Sequence, residues 1–155
     1  MRLVQRLVSS LILFVLLTAC SDDLSVEQHI ITNLRAMETA AEQGEHFEFM
    51  NYVADSFSGQ YDSMDRREFH RFMIFQMSQK RRLHAQFFPI KVQQTNTNQA
   101  AAQFSLLVTG GAGLLPDSGQ FFNVKTQWLN TDGDWLLDQA EWEVAQLPDA
   151  LSDQQ

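Results

Sequence analysis

Nineteen acidic and eleven basic residues give this 155-residue chain a formal charge of −8, so it lacks the dominant basic footprint that nucleic-acid binding needs. One cysteine rules out an internal disulfide and a cysteine-based zinc site. Twelve phenylalanines and three tryptophans supply enough apolar bulk for a packed core, which a disordered tether would not have.

Arg2 and Arg6 precede an apolar run from Leu7 to Ala19. The run is shorter than the roughly 20 residues a membrane-spanning helix requires, and it has the layout of a secretory signal peptide. It ends Leu17-Thr18-Ala19-Cys20, which resembles the lipobox of bacterial lipoproteins. The resemblance implies a diacylglycerol thioether on Cys20, cleavage before it and acylation of the new amine, palmitate being a typical chain. It also gives the lone thiol a use. Ser21 rather than aspartate follows Cys20, which by the same resemblance implies sorting to the periplasmic face of the outer membrane. Residues 1–19 are then the leader, 20–24 a lipidated tether, 25–147 one domain and 148–155 a polar tail. Cleavage removes Arg2 and Arg6 but no acidic residue, so the mature charge is about −10.

Ser25 with Gln28 forms a capping box that opens a first helix, with Ile30, Leu34, Met37 and Ala41 on one face and Gly44 as its stop. A second helix is expected over Glu45–Ala54, with Met50, Val53 and Phe57 inward. Ser58–Met64 contains Gly59 and reads as a turn or a short strand pair. Asp65 with Glu68 repeats the capping pattern and opens a third helix to about Leu83. Its apolar residues Phe69, Phe72, Met73, Ile74, Phe75 and Met77 exceed a single stripe, which predicts cover on two sides.

The period then changes to two. Four strands are expected at Ala85–Gln94, Gln99–Thr109, Gly119–Asn130 and Asp134–Val144. Phe88, Ile90 and Val92 alternate in the first; Phe122, Val124, Thr126 and Trp128 share a face of the third; Leu136, Ala140 and Trp142 share a face of the fourth. Thr131-Asp132-Gly133 is a hairpin signal, because glycine accepts the positive φ of such a turn.

Three helices followed by an antiparallel meander of about four main strands make an α+β fold, with the helices on one face of a curved sheet. From Val26 to Val144 this order resembles the NTF2-like (SnoaL-like) superfamily. The ending Asp132-Gly133-Asp134-Trp135-Leu136, with Ala140-Glu141-Trp142, resembles its final hairpin and strand. Another α+β roll, such as a cystatin-like domain, is the alternative. The superfamily resemblance implies a cone-shaped cavity. Some members are ketosteroid isomerases, scytalone dehydratases or polyketide cyclases, while others bind ligands, dimerise or act as assembly modules, so the fold does not select an activity.

An isomerase of this kind implies a carboxylate base and a tyrosine paired with a protonated acid. The first helix has no tyrosine, which leaves Tyr52 and Tyr61, with Asp55, Asp62 and Asp138 as carboxylates. Asp138 shares strand parity with Leu136 and Ala140, although pairing with an arginine across the sheet, or plain exposure, is the simpler account. A dehydratase-like pair would join His70 to Asp138. His29, His46, His70 and His84 show no ligand spacing, and Asn130, Asp132 and Asp134 suit a hairpin better than a calcium loop, so neither metal nor cofactor is expected.

Arg66, Arg67 and Arg71, then Lys80, Arg81 and Arg82, bracket the third helix. They can meet an anionic partner or the membrane surface, or simply be a solvated face. The loop Gly110–Asp117 carries Leu114 and Leu115, which can cap a cavity, meet a partner or fold back on the core. The favoured function is a non-catalytic envelope module for an apolar small molecule or another envelope protein, with a homodimer through the sheet as a further expectation. The alternative is a cofactor-free isomerase or dehydratase with an acid/base pair in the cone.

Overall fold

A computed structural model describes residues 24–79, 83–110 and 118–145. Helix α1 (Val26–Gln43) opens on the expected capping box: Ser25 Oγ accepts from the Gln28 amide, and Gln28 Oε1 accepts from the Ser25 amide. Gly44, at φ 75°, closes it with its N–H on the carbonyls of Ala40 and Ala41. Ile30, Leu34, Met37, Ala40 and Ala41 are buried along its inner face.

Helix α2 (His46–Met50) is one turn long and does not reach Ala54. Val53 and Phe57 are buried as expected, but on strand β1 (Val53–Gly59). A spacing of four fits both a period of 3.6 and a period of two, and pairing with the last strand settles it as β. Strand β2 (Met64–Asp65) pairs antiparallel with β1. Between them Gln60, Tyr61 and Asp62 all have positive φ, of 50°, 58° and 62°. Left-handed backbone costs a non-glycine residue roughly 1 kcal/mol or more. Gln60 holds the turn in place through its amide N–H on the Ala140 carbonyl and its side chain on the Trp142 carbonyl.

Helix α3 (Arg66–Gln79) begins on a second capping box, between Asp65 and Glu68. Phe69, Phe72, Met73 and Gln76 face the interior, but Ile74 and Phe75 remain 38% and 56% exposed. Among the described residues the expected cover on two sides is therefore absent, and they pack α3 on one side. Leu83 belongs to strand β3 (Leu83–Phe87) rather than to the helix.

The single strand expected at Ala85–Gln94 is two, β3 and β4 (Lys91–Asn96), separated at Phe88-Pro89-Ile90. Proline has no N–H for the ladder, so the chain breaks there. As a result Phe87 turns inward, edge-on to Phe104 at 4.9 Å, while Phe88 meets Phe121. Strands β5 (Gln99–Gly110), β6 (Ser118–Thr131) and β7 (Asp134–Val144) form the antiparallel body of the sheet. The sheet has seven strands in the order β2-β1-β7-β6-β5-β3, with β4 also on β5, and β1 runs parallel to β7. It is thus larger than four main strands and mixed rather than wholly antiparallel.

The hairpin between β6 and β7 turns at Asp132 and Gly133, at φ 55° and 100°, as the Asp-Gly pair predicts. One irregularity in that ladder matters for the site. Gln127 lies opposite Gln139 but Trp128 lies opposite Leu137, so Asp138 is an extra residue, a β-bulge. Side-chain parity reverses across it. Trp135 and Leu137 point inward before the bulge and Ala140 after it, whereas Leu136 is only half-buried. Leu136 and Ala140 therefore do not share a face.

The core sits between α1 and the concave face of the sheet. Trp128 (1% exposed) lies directly opposite Ala100 (0%), a large side chain over a small one. Its Nε1–H donates to Thr126 Oγ1, which in turn donates to the Ala102 carbonyl, so the buried polar atoms are satisfied.

Candidate ligand-binding cavity

Because α1 and α3 cover a curved sheet without filling it, a cavity of about 520 Å³ remains between them. This lies within the size range of sites for small organic molecules. Leu34, Met37 and Ala41 of α1 form one wall, Phe69, Phe72 and Met73 of α3 another, and Phe104, Leu106, Phe122, Val124 and Ala140 the sheet floor. Phe57, Phe69, Phe72 and Trp142 form a continuous aromatic run, with ring centroids 4.5 to 6.4 Å apart at successive steps.

The polar lining is sparse. Thr126 is committed to Ala102 and Trp128, Gln60 to the backbone of Trp142, and Glu38 to Arg35 at 3.0 Å. Gln76 of α3 and the exposed Gln120 of β6 add amide groups that can donate to or accept from a ligand's polar end. Such a site recognises its occupant through shape and apolar contact, with few directional bonds.

The residues singled out as acid/base candidates lie elsewhere. Asp138, on its bulge, accepts from Ser56 Oγ of β1 and does not line the cavity; among the described residues it has no arginine partner, contrary to the pairing considered above. Tyr61 is 77% exposed on the left-handed turn, and Tyr52 packs at the core's edge, its carbonyl accepting from the Leu137 amide. His70 does not meet Asp138. It pairs instead with His46, Nε2 to Nδ1 at 2.9 Å, and the exposed ring of Phe47 stands against both imidazoles. No local pattern announced this pair, because its members lie 24 residues apart on two helices joined by a strand pair.

Burial, then His46, then the Arg66 guanidinium lower the His70 pKa below the usual 6.5. The unfolded chain therefore binds this proton first. Stability associated with His70 is full above 6.5 and is lost as pH falls from there to the lowered folded value. We expect the urea midpoint to fall from about pH 8 to about pH 5, and to fall less in His70→Gln. Equal falls in the two proteins would show that His70 is not the group responsible.

Arg66 is a structural clasp: its guanidinium donates to the carbonyls of Met50 and Val53 and lies 3.6 Å from Asp55. Arg67 is exposed, and Arg71 is 3.9 Å from Glu68. Cys20, Leu114, Leu115, Lys80, Arg81 and Arg82 lie outside the described residues. Among the described residues there is no group of three or more His, Cys, Asp or Glu side chains placed to hold a metal ion.

Neither a family model nor a curated protein matches this chain. Solved structures do. An NTF2-like protein of unknown function from Pseudomonas putida KT2440 aligns with a TM-score of 0.66 at 12% identity, over 83% of this chain and 94% of that one. The fold is NTF2-like. A candidate scytalone dehydratase from Novosphingobium aromaticivorans shares this fold with a TM-score of 0.65 at 9% identity, over 77% of this chain and 84% of its own. A protein of unknown function with a cystatin-like fold from Nostoc punctiforme aligns at 0.63 and 17% identity, over 79% and 95%. At such identities the NTF2-like likeness concerns architecture and carries no activity across.

Proposed function

We propose that this chain is a lipid-anchored envelope protein whose NTF2-like cone binds an apolar small molecule without transforming it. The observation that carries this reading is the 520 Å³ cavity walled by aliphatic and aromatic side chains, with its few polar groups largely committed to internal bonds. A ligand there gains about 25 cal/mol for each Å² of apolar surface removed from water. Asp138, His70, Tyr52 and Tyr61, the groups that acid/base chemistry would call on, lie outside that lining. The anchor rests on the Leu17-Thr18-Ala19-Cys20 ending, and on a thiol that has no cysteine partner within the chain. Ser21 after Cys20, by the same lipobox resemblance, supports sorting to the periplasmic face of the outer membrane.

Two measurements test this. Intact mass of the membrane-extracted protein should show a chain beginning at Cys20 with acyl groups attached; a soluble chain with a titratable thiol would overturn the anchor. Organic extraction of the purified protein, followed by mass spectrometry, should release an apolar molecule at near-stoichiometric yield. The emptied protein should then take up a neutral apolar fluorophore such as N-phenylnaphthylamine saturably. Failure of both extraction and uptake would overturn the cavity reading.

A further inference from the structure

Helix α3 has two different faces. One lines the cavity through Phe69, Phe72, Met73 and Gln76. On the other, helical spacing aligns Arg67, Arg71, Ile74 and Ser78, with Phe75 beside them. Arg67 is exposed and the Arg71 side chain is 65% exposed. Phe47 of α2, 72% exposed, stands against His70 one turn along the same helix. Thus three of the chain's exposed large hydrophobics lie on or beside this outer face of α3: Ile74 and Phe75 on the helix, next to two arginines, and Phe47 against its His70.

We propose that this surface seats on an anionic phospholipid bilayer, with Phe47, Ile74 and Phe75 entering the headgroup boundary and Arg67 and Arg71 meeting lipid phosphates. Arginine beside aromatic and aliphatic side chains on an exposed helix face is the pattern of interfacial membrane binding. Charge complementarity selects the occupant. In a chain with nineteen acidic residues, six of the nine basic residues after Cys20 fall between Arg66 and Arg82. Acidity elsewhere on the chain is screened beyond a Debye length of about 8 Å at physiological salt, which leaves Glu68, 3.9 Å from Arg71, as the carboxylate that works against seating here. Seated in this way, α3 would be the only layer between the bilayer and the apolar cavity on that side.

The reading goes beyond ligand binding and needs the anchor only to explain why a bilayer is close. Among the described residues every buried core residue lies between Ile30 and Ala140, so a chain starting at Ser21 keeps that core and can be used without lipid. Its cosedimentation with vesicles of phosphatidylglycerol and phosphatidylethanolamine should exceed that with neutral phosphatidylcholine and should fall as salt is raised. Each arginine near an anionic surface is worth roughly fivefold in partitioning, so Arg67→Glu with Arg71→Glu should cost roughly 25-fold or more. Phe75→Ser should also weaken binding, and an unchanged melting temperature would show that both variants are folded. Equal binding to the two vesicle types, no binding to either, or full binding by the variants would overturn the proposal. Loss of a co-purifying envelope protein in the variants while vesicle binding persists would overturn it in favour of a protein partner. None of these outcomes bears on the extraction and uptake tests of the cavity.

Discussion

Replacing Trp128 by alanine should cost about 3–5 kcal/mol, the usual toll for removing a large aromatic from a core. Domains of this size have a total stability of about 5–15 kcal/mol, so the variant should lose a large share of it. The reason lies in its surroundings. Trp128 is 1% exposed and sits between the buried Ala100 of β5 and the buried Leu137 of β7, neither of which is long enough to refill the space of an indole. Its loss also removes the donor to Thr126 Oγ1. Thr126→Val is the sharper probe, because it keeps the volume but leaves the indole N–H buried without an acceptor, at about 1–3 kcal/mol. Urea unfolding monitored by far-UV circular dichroism would order the proteins as wild type, Thr126→Val, then Trp128→Ala. A loss below about 1 kcal/mol for Trp128→Ala would mean that the hairpin end of the sheet does not hold the fold together.

Leu106→Trp should weaken uptake of the apolar fluorophore at least tenfold, equivalent to about 1.4 kcal/mol. Leu106 is half-buried, lines the cavity, and faces Phe122 across the β5–β6 ladder, so an indole there occupies space meant for a ligand. The cavity has room for the added ring, so the change in stability should stay within about 1.5 kcal/mol. Leu107→Trp is the control. Leu107 points to the other face of the sheet, where its methyl group lies beside Gly119, and the substitution should leave uptake unchanged. If the two variants bind the fluorophore equally well, the cavity is not where it binds.

Both helix starts were legible because capping boxes join residues three apart: Ser25 with Gln28, and Asp65 with Glu68. The Asp132-Gly133 turn was legible for the same local reason, as was the inward set Phe122, Val124, Thr126 and Trp128 on a strand without a bulge. The candidate site was harder. Asp138 drew attention through a parity count that assumed an unbroken ladder, and the bulge placed at that very residue turns it to Ser56 instead. The pairing of His70 with His46 has no sequence signal, because their approach depends on how α2 packs against α3. The cavity itself has no single-residue signature. Its lining is drawn from both long helices and four strands, and the same residues would read as ordinary core in any α+β fold.

What the amino-acid order settled unaided were the interactions closed within about four residues: caps, the tight turn, and alternation along β6. These are decided by backbone sterics and neighbouring side chains, so no distant partner is needed to specify them. Tertiary structure decided the rest. Pairing with β7 made Val53–Gly59 a strand rather than a helix, Pro89 acting within the β5 ladder split one strand into two, and the bulge at Asp138 reset which side chains face inward. Packing against the sheet also decided which apolar residues of α3 were buried and which, Ile74 and Phe75, were left facing out. In each case the choice turned on hydrogen bonds or contacts between segments far apart in sequence, whose free energy exists only once the whole sheet has formed.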